Sequence, residues 1–529
     1  MKFSNKIAKK VMVAGLLAIV LAVSGCTSKN DVAAESLDSK SQPAEEIKDE
    51  IKKPVLHLEG EDVGLPNPFK HSKRGPGIGR MQLLYDSLLE KDENGNIPWL
   101  AESWKTSEDG TIYTFSMQKS ALWHDGTPLT ANDVEFTLSY YKEHPPVDNG
   151  LLSNGEYIVT STKVIDDYTI EVTTNHFDNT YLTKIGGVRI LPKHIWENVS
   201  DPAEYTAEGA TIGSGPYMLE AYDAAHGTYR YVAFEKYWGL TPAASAIEWI
   251  PVSESVLAFE NNEIDLINAT ADVLPRYESD STYTIKSAPS YHSYRLMMNM
   301  EAVASLQDKN LRKAIAYGIN REELVDKIAR GEATISSMGY VPTYSKWYNP
   351  NVEKYEYNES KALELLGGKN YSFKLLTDNT AQGTKTAELI KLSLEKVGIN
   401  VTVESVEAKT RDNAVNTGEY ELLLINSGGM GGDPDYLSAV YGKTAKTIIG
   451  YSNNEVYELI AKQSVEQSED AREEMIFDLQ EKIADDVPMI MLFGATDNFV
   501  YRSETYDGWM FRYDHSKCDH NKLSYLIRK

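Results

Sequence analysis

Thr111-Ile112-Tyr113-Thr114-Phe115, followed by Trp123-His124-Asp125-Gly126-Thr127-Pro128-Leu129-Thr130-Ala131-Asn132-Asp133-Val134, is the stretch whose reading decides the fold. The first five residues alternate apolar and polar, the period of a half-buried strand. His124-Asp125-Gly126 is a turn, since Asp folds back on its own backbone and Gly relieves the left-handed position. Thr130 and Asp133 then stand at capping-box spacing and open a helix with Val134, Leu138 and Tyr141 on one face. Trp123 reads as core or inter-strand packing.

The same alternation continues outward. Asn320 with Glu323 opens a helix that buries Leu324, Val325 and Ile328. Asp470 with Glu473 opens another, carrying Met475, Ile476, Leu479 and Ile483 inward. Val401-Thr402-Val403 reads as a strand. Strands and helices interleave along the chain, which predicts an α/β fold rather than an all-β sandwich. No repeat of solenoid period is present.

The chain has 529 residues, 42% of them hydrophobic, which predicts two or three domains. Lys and Arg number 53 against 78 Asp and Glu, a formal net charge of −25 that disfavours nucleic acid as a partner. Two cysteines exclude a disulfide scaffold, and no CxxC pair is present.

Lys2, Lys6, Lys9 and Lys10 precede the apolar run Val11 to Val23, too short to span a bilayer and suited to a signal-peptide core. It ends in Val23-Ser24-Gly25-Cys26, which resembles a bacterial lipoprotein signal. That resemblance implies cleavage after residue 25 and lipidation of Cys26. Residues 26–53 lack aromatics and are rich in Ser, Ala, Glu, Asp and Lys, the composition of a flexible tether.

Catalytic motifs are missing. There is no GxxxxGK[ST] loop, no HExxH, no G-x-S-x-G elbow and no GxGxxG after a strand, so neither an enzyme nor a cofactor is expected. Gly428-Gly429-Met430-Gly431-Gly432-Asp433-Pro434-Asp435 offers backbone N–H groups but no basic residue to hold a phosphate.

Leu100-Ala101-Glu102-Ser103-Trp104 and the Trp123–Val134 string resemble the signature of the family 5 extracellular solute-binding proteins, the peptide and nickel receptors of ABC importers. Leu191-Pro192-Lys193-His194-Ile195-Trp196, Gly213-Ser214-Gly215-Pro216-Tyr217, Tyr237-Trp238-Gly239 and Asn262-Glu263-Ile264-Asp265 match in order. So do Leu311–Tyr317, Asp433-Pro434-Asp435 and Asp486-Val487-Pro488. The resemblance covers about residues 60 to 500. It implies a type II periplasmic-binding fold of two hinged lobes with an extra domain on the first. Lobe I would comprise 54–84, 193–292 and 488–529, the extra domain 85–192, and lobe II 293–487.

By the same resemblance the ligand would lie among three segments. They supply Gly77 and Ile78; Tyr291, His292, Tyr294 and Arg295; and Gly429, Met430 and Asp433. Peptide-binding members commonly place an acid for the free α-amine three residues before the Asp-Pro pair, where this chain has Met430. Asp433 or Asp435 could substitute, or could serve a turn. His292 is a candidate metal ligand or a half-buried structural histidine. His515, Cys518 and His520 are metal-competent but lack zinc spacing, and Cys518 is expected to be a free thiol.

The resemblance thus implies an extracytoplasmic receptor, anchored to the cell membrane through its lipid and expected to be monomeric. It would capture a peptide and deliver it to ABC permease and ATPase subunits. A nickel or other metal chelate is the alternative ligand, and a solute sensor without transport the alternative from another class.

Overall fold

The computed structural model describes residues 53–528, except Arg74, Asn154 and Gly429. The signal sequence, Cys26 and nearly all of the tether lie outside the described residues.

The first lobe is built on a four-stranded sheet. Val55–Glu59 pairs in parallel with Ala246–Ile250, with Val55 opposite Ala246, and Thr228–Ala233 and Tyr217–Asp223 follow antiparallel. Tyr229, Tyr231 and Ala233 alternate inward along their strand.

A second four-stranded sheet runs Ala101–Thr106, Ile112–Met117, Thr169–Thr174, Val159–Asp166, all antiparallel. Ile112–Met117 buries Tyr113, Phe115 and Met117, the alternation expected of it. Gly126 has φ +88°, its N–H donates to Trp123 O at 2.8 Å, and Asp125 Oδ1 accepts from Thr127 N at 2.9 Å, so the turn forms as read. Thr130 N donates to Asp133 Oδ2 at 2.8 Å at the start of the helix Ala131–Glu143, which buries Val134, Leu138 and Tyr141. Asp133 Oδ1 also accepts from Lys193 N at 3.0 Å, tying the helix to the chain returning from this sheet. The apolar face of this sheet is continuous with that of the first lobe, so the extra domain shares its core rather than having one of its own.

The second lobe contains the parallel strands Tyr371–Asp378 and Ile399–Val406, linked by the helix Ala381–Glu395, with Leu422–Ser427 beside them. Asn320 Oδ1 caps the helix Arg321–Ala329 by accepting from Glu323 N at 3.0 Å. One cap differs from its expectation. The helix Glu469–Asp486 is capped by Ser468, whose hydroxyl accepts from Ala471 N at 3.3 Å, while Asp470 sits in the first turn. Serine's oxygen satisfies the free amide there, and the carboxylates add a favourable interaction with the helix dipole. Ile476, Leu479 and Ile483 are buried as expected; Met475 is half-buried.

Met489–Tyr501 joins the two lobes. Its first half pairs with Ser293–Met298, Leu296 lying opposite Ile490; its second half pairs with Thr284–Pro289, Ala288 lying opposite Asp497. Between these ladders Ser290 N donates to Ala495 O at 2.9 Å, so two antiparallel segments cross side by side. One large apolar cluster draws only on residues from Tyr294 to Phe493, and another on residues 56–266 with 499–525. The return crossing thus lies beyond Phe493, about six residues later than the boundary read from the sequence, because Met489–Phe493 are wholly buried in the second lobe. Two adjacent strands resist shear but permit bending, as a hinge requires.

Candidate functional site

Between the lobes lies a cavity of about 920 Å³. Its first-lobe wall comes from the hairpin of Leu89–Lys91 and Asn96–Pro98, from Asn179 to Lys184, and from Tyr513 and Asp514 near the C-terminus. Its second-lobe wall comes from Tyr344 to Trp347, from Met430 to Tyr436, and from Glu469 and Arg472 of the long helix. Tyr291 stands at the hinge, its ring 5.4 Å from that of Tyr344 at 82°, and its hydroxyl donates to Tyr513 O.

Every basic side chain lining the cavity meets an acid that also lines it, and the Lys184–Asp435 pair crosses between the lobes. Lys91 pairs with Asp514 at 2.7 Å, Lys184 with Asp435 at 3.8 Å, Lys346 with Glu469, and Arg472 with both Asp433 oxygens at 2.6 and 2.7 Å. Glu93 carries the fifth negative charge. Burial opposes ionisation of Asp514, but Arg512 and Lys91 outweigh it and hold its pKa down to about 2. Burial pushes Asp435 up, with Lys184 acting against it. Burial, aided by the Asp514 charge, raises the Tyr291 phenol to about 12. A charge-compensated, aromatic wall can accept varied polar ligands, because each pair can open toward a guest of either sign.

The expected site residues separate into two sets. Tyr291, Met430 and Asp433 line this cavity, although the Asp433 carboxylate is held by the Arg472 fork. Gly77, Ile78, His292, Tyr294 and Arg295 are placed elsewhere. Gly77 packs against Ser72, where a Cβ would come 2.4 Å from Ser72 O, and half-buried Ile78 follows it in the helix Gly75–Leu84. The His292 ring lies under Gly428, whose Cβ would meet Nε2 at 2.8 Å; burial and the Lys517 charge lower its pKa. Tyr294 stacks on Phe493 at 5.0 Å. Arg295 is buried, donating from Nη1 to Tyr340 Oη and from Nη2 to Gly428 O at 3.3 Å, so it positions the glycine-rich loop from behind. Gly429 lies outside the described residues.

The loop glycines serve close approach. A Cβ on Gly431 would stand 2.2 Å from Asp514 O, and on Gly432 (φ +75°) 2.9 Å from Asp514 Cβ. The second lobe therefore docks its loop directly on the first-lobe tail. A further clasp joins the lobes on another side. Asn179 N donates to Ser464 O at 2.9 Å, and Asn179 Nδ2 reaches the carbonyls of Gln463, Ser464 and Glu466 at 2.9–3.0 Å. Asn179 thereby binds the carbonyls of Gln463 and Ser464 that end the helix Asn454–Ser464, and that of Glu466 just beyond it.

Among the described residues, no group of three or more His, Cys, Asp or Glu side chains is arranged to hold a metal ion. His515 and His520 do meet, Nε2 to Nδ1 at 2.9 Å with rings stacked, and Cys518 is a buried free thiol.

Sequence reasoning missed the walls supplied by residues 91–96, 179–184, 344–347 and 513–514. Asn94-Gly95 is a visible hairpin signal, but nothing local places it opposite Trp347.

Two lobes, two adjacent crossing strands and a cavity between the lobes define a clamp-type binding protein. The family model for bacterial extracellular solute-binding proteins, family 5, matches residues 96–447, and the chain belongs to that family. It is a binding protein of ABC transport and not an enzyme. The chain is 26% identical to the oligopeptide-binding protein AppA of Bacillus subtilis, over 95% of each chain. Among solved structures it resembles the ABC transporter substrate-binding protein CtaP of Listeria monocytogenes (TM-score 0.78, 22% identity), covering 90% of this chain and 98% of that one. It also resembles NikA of Brucella suis in complex with Fe(III)-EDTA (TM-score 0.77, 21% identity), covering 90% of this chain and 100% of that one.

Proposed function

We propose that this protein is the lipid-anchored receptor of an ABC importer, that it captures a short peptide between its lobes, and that it hands the peptide to the permease. The observation that carries the ligand class is the 920 Å³ cavity. It lies near the upper end of the roughly 300–1,000 Å³ typical of ligand sites, and its wall combines tyrosines and tryptophan with internally compensated charges. Such a wall suits a ligand whose backbone is constant and whose side chains vary.

Capture works through closure. The Asn179 clasp, the Lys184–Asp435 pair and the docking of Gly431 on Asp514 form only when the lobes meet. A ligand touching both walls favours that state by its extra contacts there. The closed shape is what the permease recognises, and Cys26 carries the lipid that keeps the receptor at the membrane.

Mass spectrometry of what co-purifies with the protein, with metal analysis alongside, tests the reading. A mixture of short peptides at about one per chain is expected. A stoichiometric metal chelate in their place overturns it. Cys26→Ala is expected to release the protein from the membrane fraction.

A further inference from the structure

The hairpin in the first-lobe wall of the interlobe cavity holds one residue that its turn does not need. In Asp92-Glu93-Asn94-Gly95, Asp92 Oδ1 accepts from Asn94 N at 2.7 Å and from Gly95 N at 3.1 Å, and Gly95 takes φ +128°. Asp92 O accepts from Tyr513 N at 3.0 Å, which ties the turn to the tail that the second lobe docks on. Asp92 and Gly95 thus build the turn. Glu93 is exposed, lines the cavity, and has no basic partner among the described residues.

The wall carries four basic and five acidic side chains. Each base is matched to one acid, so Glu93 leaves the cavity with a net charge of −1. Charges just outside the wall do not reverse that sign. Arg512 shares Asp514 with Lys91 and adds one positive charge. Asp92 and buried Asp178, whose charge contributes to the raised Asp435 pKa, have no basic partner among the described residues and add two negative ones. A cleft lined by surplus charge of one sign concentrates solutes of the other.

A peptide with uncharged side chains carries one ammonium and one carboxylate, which cancel and leave Glu93 unanswered. A glutamate side chain adds a like charge. A lysine or arginine side chain supplies the missing cation, and its apolar stem can lie along the tyrosines of the wall. We propose, building on the peptide reading of this cavity, that it prefers peptides with a lysine or arginine side chain and that Glu93 receives that side chain's charge. Because Glu93 keeps contact with water, the pair has the modest worth of a surface ion pair and biases selection by a few-fold.

Titration calorimetry of the full-length protein with Ala-Ala-Ala, and with tripeptides carrying one lysine or one glutamate at each position, tests the assignment. The best lysine tripeptide is expected to bind at least threefold more tightly than Ala-Ala-Ala, and glutamate tripeptides are expected to be the weakest of the set. The lysine preference is expected to survive N-acetylation of both peptides, which removes the α-ammonium as a rival partner for Glu93. Glu93→Gln, in an exposed turn outside both cores, is expected to keep its melting temperature and to bring the lysine preference below twofold. Equal affinity for lysine and alanine tripeptides overturns the proposal and leaves peptide capture standing. So does a lysine preference that persists in Glu93→Gln or vanishes on N-acetylation. Failure of every tripeptide to bind overturns the peptide reading itself, and this preference with it.

Discussion

Two glycine-rich stretches, Gly75-Pro76-Gly77-Ile78-Gly79 and Gly428–Gly432, look alike in composition and differ in what they approach. Gly77 in the first stretch is pressed against Ser72, Gly75 against the His520 ring and Gly79 against the His520 backbone, all within one lobe. Gly431 and Gly432 in the second are pressed against Asp514, across the cleft. Glycine marks backbone that comes close to something; the partner decides whether that closeness serves stability or closure.

This contrast can be broken by adding side chains. Gly77→Val places a methyl-bearing Cβ 2.4 Å from Ser72 O, inside a lobe that has no way to open. Overpacking of that kind costs roughly 3 kcal/mol, the upper end of its usual range, to be seen as a lowered calorimetric melting temperature. Ligand affinity per folded molecule is expected to stay the same. Gly431→Val puts its clash between lobes, where hinge opening relieves it. Stability is expected to hold while peptide affinity falls by about a hundredfold, some 2.7 kcal/mol. A loss of melting temperature in Gly431→Val as large as in Gly77→Val would abolish the distinction.

Asn179→Ala sharpens the same point with a smaller effect. It removes the side-chain bonds to Gln463, Ser464 and Glu466, leaving the main-chain bond to Ser464 O, without touching either core. Peptide affinity is expected to fall about tenfold, near the worth of a hydrogen bond or two, with a matching rise in dissociation rate by stopped flow.

A further effect depends on pH and acts on the first lobe alone. Burial, with the charges of His520, Arg512 and His292 against the opposing Asp514, lowers the His515 pKa to about 3. An unfolded histidine titrates near about 6.5, so between these values the unfolded chain binds the extra proton. Stability therefore falls as pH drops from about 6.5 toward 3, by at most about 1.4 kcal/mol per pH unit. Melting curves from pH 7 to pH 5 are expected to flatten in His515→Asn. An unchanged slope would place the titration elsewhere.

Much of the fold was legible because its signals are local. Thr130 and Asp133, Asn320 and Glu323, and the alternation of Ile112–Met117 act over two to four residues, so a linear reading captures them. The cap of the helix Glu469–Asp486 was misplaced by two residues, since Ser468 and Asp470 compete for one role and only geometry chooses between them. The cavity was less legible. Tyr291, Met430 and Asp433 line it, whereas Tyr294 and Arg295 share the hinge strand but face the second-lobe interior. Every residue of Ser293–Met298 is buried, so both faces of that strand are covered, and the cover depends on Met489–Tyr501, some two hundred residues away.

The sequence alone determined the alternation of strands and helices, the family and the absence of catalytic motifs, because each rests on neighbouring residues. Only the tertiary structure decided which segments face across the cleft. Residues 91–96, 179–184, 344–347 and 513–514 are distant along the chain and meet only when two cores, joined by two adjacent strands, bring their edges together. Local periodicity records which side of an element is buried. It does not record what lies on the other side of a gap.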